Sequence, residues 1–190
     1  VIGIRNWSLR TAEHNVVLGQ RMASKLEDNR IASQKISVIH NWSSEELITP
    51  ILHGDNRLVK EWGLEDKFVV GYSGNMGRAH EFDTILGAAE ILKENSQIVV
   101  LFIGSGAQKA YIENQVRLHG LSNVIFKPYQ PREDLSCSLC VPDVHLISLL
   151  PDLEGLIVPS KFYGIAAAGS ATIYIGDPEG EISRIIKKEK

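Results

Sequence analysis

The 190 residues suffice for one α/β domain with part of a second, and their hydrophobic content of 44% is that of a globular chain. A net charge of -3 excludes the basic balance of a nucleic-acid binder. No stretch nears the roughly 18 consecutive apolar residues of a membrane-spanning helix, and Val1 to Arg10 lack the charged start and apolar run of a signal peptide.

Residues 1–34 differ in character from the rest of the chain. Val16, Val17 and Leu18 form a short apolar run after a polar stretch, and Arg21, Met22, Lys25 and Leu26 come next at helical spacing. One strand and one helix of a preceding domain are expected here. Residues 36–39 read as a short strand, and 41–56, polar and irregular, as a linker, so that 35–56 joins the remnant to a domain over 57–190. Strands are then expected at 68–73, 98–103, 123–126, 144–148 and 171–175. Helices are expected at about 81–94, 107–119, 132–140, 160–168 and 179–188. In the first helix Phe82, Ile85, Leu86, Ala89 and Leu92 keep the helical period. The strands are apolar almost throughout, as in a parallel sheet covered on both faces. Their alternation with helices implies right-handed βαβ units and a Rossmann-like doubly wound sheet. The last residues, ending Lys187-Lys188-Glu189-Lys190, read as an amphipathic helix cut short, and both ends are expected to belong to a longer protein.

Ligands of such sheets bind beyond the carboxyl ends of the strands, near the switch in strand order. Gly74-Asn75-Met76-Gly77-Arg78-Ala79-His80 comes after the first strand and Gly104-Ser105-Gly106 after the second. Glycine lets backbone N–H groups approach a phosphate closely, and both stretches also fit plain strand-to-helix turns. Arg78 suits phosphate by its planar fork or is a solvated surface residue; His80 is a cap, a neutral donor or a ligand. Tyr129 and Gln130 precede Pro131, which opens the next helix. Tyr129 is read as a base-stacking ring or as a surface residue. The fourth loop carries Glu154, Gly155, Leu156 and Ile157, then Pro159, Ser160 and Lys161 at a helix start. A helix N-terminus favours anions and disfavours lysine, so Lys161 implies an anion nearby. Glu154 suits sugar hydroxyls, or is a solvated loop acid. Cys137 and Cys140, the only cysteines, read as buried thiols of a reduced, cytoplasmic protein. A zinc site would need two further ligands, which no suitable spacing supplies.

At the fourth loop the chain resembles family 4 of the glycosyltransferases, in the carboxyl-terminal donor domain of a GT-B fold. EGLIVPSKFYGIAAAGSATIYI from Glu154 carries the likeness, with VVGYSGNMGRAHEFDTILGAAEIL from Val69, LFIGSGAQK from Leu101, NVIFKPYQPREDL from Asn123 and KISVIHNW from Lys35. The resemblance spans nearly the whole chain in order. It implies that residues 1–34 end an amino-terminal acceptor domain. It further implies a retaining transfer from a nucleotide diphosphate sugar, most simply a UDP-sugar, to a glycan or lipid-linked acceptor, with no metal and no cofactor. Glu154 matches the first glutamate of an E-x7-E motif that faces the donor sugar, and is the expected catalytic residue. Gly155, Leu156 and Ile157 match the loop whose backbone meets the diphosphate. The donor site is completed by Gly74, Asn75, Arg78, His80, Gly104, Tyr129, Gln130, Ser160 and Lys161. The second motif glutamate has no counterpart: Phe162 stands eight residues after Glu154, and Gly164 when counting back from Ala168-Gly169. The Arg and Lys usual after the first strand fall near Asn75 and His80. The P-S-K-F-Y-G variant is similar to a branch making bacterial surface polysaccharides, including transferases of N-acetylated amino sugars such as fucosamine. The full protein is then cytoplasmic, acting at the inner face of the membrane without nucleic acid. This fragment alone is expected to be inactive. A sugar-nucleotide epimerase of similar architecture and a silent nucleotide-binding module are the alternatives.

Overall fold

The computed structural model describes residues 2–43 and 48–188. By backbone packing these divide into two units. One comprises residues 1–41, 150–159 and 176–190, the other residues 42–149 and 160–175.

The first unit holds helix α1 (Ile2–Thr11), strand β1 (Asn15–Val17), helix α2 (Gln20–Asp28) and strand β2 (Ile36–Val38). β1 and β2 pair in parallel, Asn15 opposite Ile36. Asn15 is buried, and its amide donates to the Leu9 carbonyl at 3.1 Å. The strand and helix read from residues 16–26 are therefore present, and α1 precedes them.

The second unit carries the sheet. In chain order come α3 (Arg57–Trp62), β3 (Phe68–Asn75), α4 (Asp83–Leu92), β4 (Ile98–Ser105), α5 (Lys109–Leu118) and β5 (Val124–Lys127). After them come α6 (Leu135–Leu139), β6 (Val144–Ser148), α7 (Lys161–Ala167) and β7 (Ala171–Ile175). The first unit ends with α8 (Glu181–Lys188). The five strands lie in the order β5-β4-β3-β6-β7, all parallel. The chain therefore winds outward from β3 one way and then, after β5, crosses to β6 on the other side.

Alternation along β3 and β4 sorts the core. Tyr72, Val100 and Phe102 face Ile85, Leu86 and Ala89 of α4 and Ile112 of α5. Val69, Val99, Leu101 and Ile103 face Leu58 and Val59 of α3. Ile147 meets Ile165 of α7 and Leu139 of α6. Helices thus cover both faces, the doubly wound α/β arrangement expected from the sequence.

The boundaries differ where side chains, not periodicity, decide them. α4 starts at Asp83 because the Glu81 carboxylate accepts the Thr84 N–H at 2.9 Å. The helix expected over 132–140 divides into a 3₁₀ turn, Arg132–Asp134, and α6. β3 and β4 run two residues further than expected, with Gly74 opposite Gly104 and Asn75 opposite Ser105. The glycines read as turns thus close the two strands. Of the linker read over 41–56, residues 44–47 lie outside the described residues. Its end holds a 3₁₀ turn, His53–Asp55, and Asn56, which caps α3 by accepting the Leu58 N–H at 3.0 Å.

Candidate functional site

β3 pairs with β4 over eight residues but with β6 only at Val70–Val144 and Gly71–His145. Beyond that point the ladder stops, and the carboxyl ends of β3 and β6 are free of each other. This is the switch point of the sheet, where a doubly wound fold opens a crevice.

Side chains from three elements converge there. His80 Nδ1 donates to the Ser148 carbonyl, the last of β6, at 2.6 Å. Gln108 holds the turn before it, donating to the Gly77 and His80 carbonyls at 3.1 and 3.0 Å. Lys161, first residue of α7, turns inward. Its Nζ stands 3.5 Å from the centroid of the Tyr72 ring and 3.5 Å from the position a Cβ on Gly74 would take. That Nζ is buried with no hydrogen-bond partner among the described residues.

Electrostatics here derive from burial. The Lys161 amine is pushed from 10.5 down to about 7 by desolvation. His80 is also lowered, by burial first and then by the Lys161 charge, against the Ser148 bond. A neutral His80 with its proton on Nδ1 presents Nε2 as an acceptor. It suits a hydroxyl and cannot donate to a phosphate. His145, fully buried in β6, donates from Nε2 to the Leu139 carbonyl at 2.8 Å. Burial lowers it to about 4, so it is a neutral core residue with no acid–base partner in Asp143, whose carboxylate instead accepts the Val69 N–H at 2.7 Å.

Gly74 and Gly104 have φ of 122° and 130°, a region costly for other residues. A Cβ on Gly104 would overlap the Gly74 carbonyl oxygen. Tyr129 lies across this pair: its Cε1 is 3.1 Å from that Cβ position, its hydroxyl reaches the Ser105 carbonyl at 3.4 Å, and it is 55% exposed. A ring so placed leaves its surface open for stacking. Asn75 packs between Gly77 and Gly106. Gln130 donates to the Pro128 carbonyl at 2.9 Å. Arg78 is exposed and bonds to none of the described residues. Ser160 caps α7 without a side-chain bond, and α7 has only seven residues, a weak dipole for an anion. Gly74, Gly104, His80, Tyr129 and Lys161 are therefore brought together, while Arg78 and Gln130 stand on the surface. Tyr72, Gln108 and Ser148 are additions that the sequence reading missed.

The remaining candidates belong to the first unit. Glu154 is not a solvated acid: it is 5% exposed, and its Oε1 accepts the Glu181 N–H at 2.9 Å, at the first residue of α8. The device repeats: the Glu181 carboxylate accepts the Arg21 N–H at 3.1 Å, in the first turn of α2, where the N-cap is the side-chain-less Gly19. Each carboxylate thus satisfies a helix N–H that the helix itself leaves unpaired. Gly155 has φ of 74°. The N–H groups of Leu156 and Ile157 both bond to the Leu153 carbonyl, at 3.0 and 3.2 Å. Replacing Glu154 by Ala should cost about 1–2 kcal/mol in urea unfolding and by Gln clearly less, since the amide oxygen still accepts. Equal costs would assign the loss to packing rather than to the cap.

Neither position for a second motif glutamate offers a ribose acceptor. Gly164 faces Ile48 and Leu139, each with a methyl carbon 3.5 Å from its Cβ position, and Phe162 packs on the same apolar cluster. Among the described residues no group of three or more His, Cys, Asp or Glu could hold a metal, and no helix is long and apolar enough to cross a membrane.

Residues 55–139 match the family model described as glycosyl transferases group 1. The chain is 29% identical over 182 residues to WbjE of Pseudomonas aeruginosa, provisionally named a glycosyltransferase. It is 26% identical over 182 residues to WcaI of Escherichia coli (strain K12), provisionally named a colanic acid biosynthesis glycosyl transferase. Each match takes in 93% of this chain and 44% of the relative, so the chain spans less than half the length of these proteins. Among solved structures, Anabaena HepE in complex with UDP-glucose superposes with a TM-score of 0.75 at 14% identity, over 96% of this chain and 55% of HepE. Sucrose-phosphate synthase of Thermosynechococcus elongatus does so with 0.72 at 19% identity, over 94% and 45%. At these identities the superpositions speak for the fold. Taken with the sheet order, they show one Rossmann-like half of a GT-B fold, within which residues 55–139 are similar to the glycosyl transferases group 1 model.

Proposed function

We propose that this chain is the donor-binding part of a retaining glycosyltransferase that takes a UDP-sugar and serves bacterial polysaccharide or lipopolysaccharide synthesis. One observation carries the reading: a buried lysine ammonium with no hydrogen-bond partner among the described residues, at the switch point of a doubly wound sheet. A charge so placed is costly until an anion meets it, and a nucleoside diphosphate supplies that anion. The Tyr129 ring would stack on the base. Lys161 would then stabilise the diphosphate as it leaves, when its negative charge grows, and neither metal nor cofactor is required. UDP is the first nucleotide to test because HepE was solved with UDP and with UDP-glucose. The acceptor is proposed to be a glycan or lipid-linked sugar, and the relatives extend well beyond the length matched here. The chain alone is accordingly expected not to turn over. For the first unit we propose separately that Glu154 releases the α8 N–H and accepts from a hydroxyl of the donor sugar.

Calorimetric titration with UDP, GDP and ADP tests the reading. Saturable UDP binding is the expected result. A preference for GDP or ADP keeps the site and changes the donor, and binding of none overturns it. One observation favours the silent module as a second reading: apolar packing at both Gly164 and Phe162 leaves the ribose without a carboxylate. Turnover by the full-length protein with UDP-sugar and acceptor would dismiss that module.

A further inference from the structure

Tyr72 is fully buried and held from several sides. Its hydroxyl donates to the Asn75 carbonyl at 2.9 Å. Phe82 and His80 meet it edge-on, with centroids 5.0 and 5.9 Å away. Its face carries the Lys161 ammonium. A lysine at the first position of a helix has an easy route to solvent, where its ammonium is well hydrated. Lys161 does not take it. Nor does a carboxylate draw it inward, since Lys161 forms no ion pair with any described residue. What meets the charge is the electron-rich face of an aromatic ring, which attracts cations strongly once water is excluded.

We propose that Tyr72 is a positioning residue for the donor site: its ring parks the Lys161 ammonium at the β3–β6 opening, ready to be drawn off by a phosphate oxygen. This rests on the donor reading above. The geometry supplies the means. Lys161 lies along the Gly74 backbone, so rotation of the lysine side chain alone carries Nζ from ring to ligand. The rigid mount supplies the advantage, because a charge already desolvated and localised loses less on binding than one gathered from solvent. The ring is weaker than a carboxylate would be, and so yields the ammonium to a phosphate, where an acidic partner would compete with it.

The test uses this chain with ¹³C-labelled lysine, together with Tyr72→Phe and Tyr72→Leu. In the free wild type, the Lys161 ε-methylene protons should resonate well upfield of those of exposed lysines, because they lie over the ring. Saturation with UDP should return them towards the exposed position. Tyr72→Phe keeps the face and should bind UDP within about twofold of wild type, with the upfield signal retained. Tyr72→Leu should weaken UDP roughly tenfold and leave uridine unchanged. Equal weakening by Phe and Leu would assign the effect to the hydroxyl bond with Asn75 and overturn the inference. So would a Lys161 signal that is not upfield, or that UDP leaves in place, and these readings come from the wild type even where Tyr72→Leu fails to fold. Absence of UDP binding to the wild type itself would overturn the donor reading, and this inference with it.

Discussion

Replacing Lys161 by Met should make the free protein more stable and its grip on UDP weaker. Burial lowers the amine from 10.5 to about 7, a preference for the neutral form on the order of 4–5 kcal/mol. Methionine buries no charge at this position, so a stabilisation of about 2–4 kcal/mol is expected for Lys161→Met at pH 6. The sign with pH is fixed. Below about 7 the amine is protonated in both native and unfolded chains, so the cost is fully present. Between about 7 and 10.5 the unfolded chain binds the extra proton, so wild-type stability rises with pH and the Met variant loses its lead. Urea unfolding at pH 6 and pH 9 reads this directly. Burial lowers His80 and His145 as well, so they add a rise in stability with pH that ends near their unfolded value of about 6.5. Wild type and Met variant share it, and it largely cancels in their difference, while burial raises the Tyr72 hydroxyl.

Binding should respond in the opposite direction. A buried charge-assisted contact to phosphate is worth about 3 kcal/mol, so Lys161→Met should weaken UDP roughly 100-fold and uridine hardly at all. Above the phosphate's own ionisation near pH 6, wild-type affinity should fall as pH rises past about 7, because the complex takes up a proton that the free protein has begun to lose. The Met variant should show no such slope. A variant that loses UDP and uridine equally, or keeps the slope, would remove Lys161 from the phosphate site.

Much of this fold is legible in the sequence, and the exceptions have physical reasons. Strands β3, β4 and β6 announce themselves as apolar runs because both faces of the sheet are covered there. α3 is too short, at six residues, to show a period. Its signals are local, Asn56 as cap and Gly63 with φ of 66° after its end. For the site, type and position pointed to Lys161, since a lysine at a helix start asks for an anion. Its actual environment was hidden: Tyr72 reads as one more apolar core residue until the fold brings Lys161 onto its face. Glu154 was hidden in the same way. A carboxylate in a loop suggests solvent or a sugar, and only the return of the chain at Glu181, 27 residues on, turns it into a cap. Periodicity reports what each element buries. It carries no information on which polar group meets which across the sheet's end.

The glycines at the strand ends show the same limit and give the largest expected effect on stability. Glycine propensity marks Gly74 and Gly104 as turns, yet they sit opposite each other inside β3 and β4. The reason is steric: the two backbones converge there, and a Cβ on Gly104 would overlap the Gly74 carbonyl oxygen. Backbone cannot yield as a flexible side chain can. Gly104→Ala therefore faces two costs, the φ of 130°, worth roughly 1–3 kcal/mol, and the overlap, worth a similar amount. A loss of about 3–5 kcal/mol is expected, and a fall in Tm of about 10 °C. Gly120 separates the two costs. Its φ is 60°, at the end of α5, and a Cβ there meets nothing within 4 Å. Gly120→Ala should thus cost only the backbone part, about 1 kcal/mol. Thermal unfolding of the two variants side by side decides the matter. A Gly104→Ala protein no less stable than Gly120→Ala would mean that β3 and β4 part easily at their ends, and that the glycine pair serves the ligand rather than the fold.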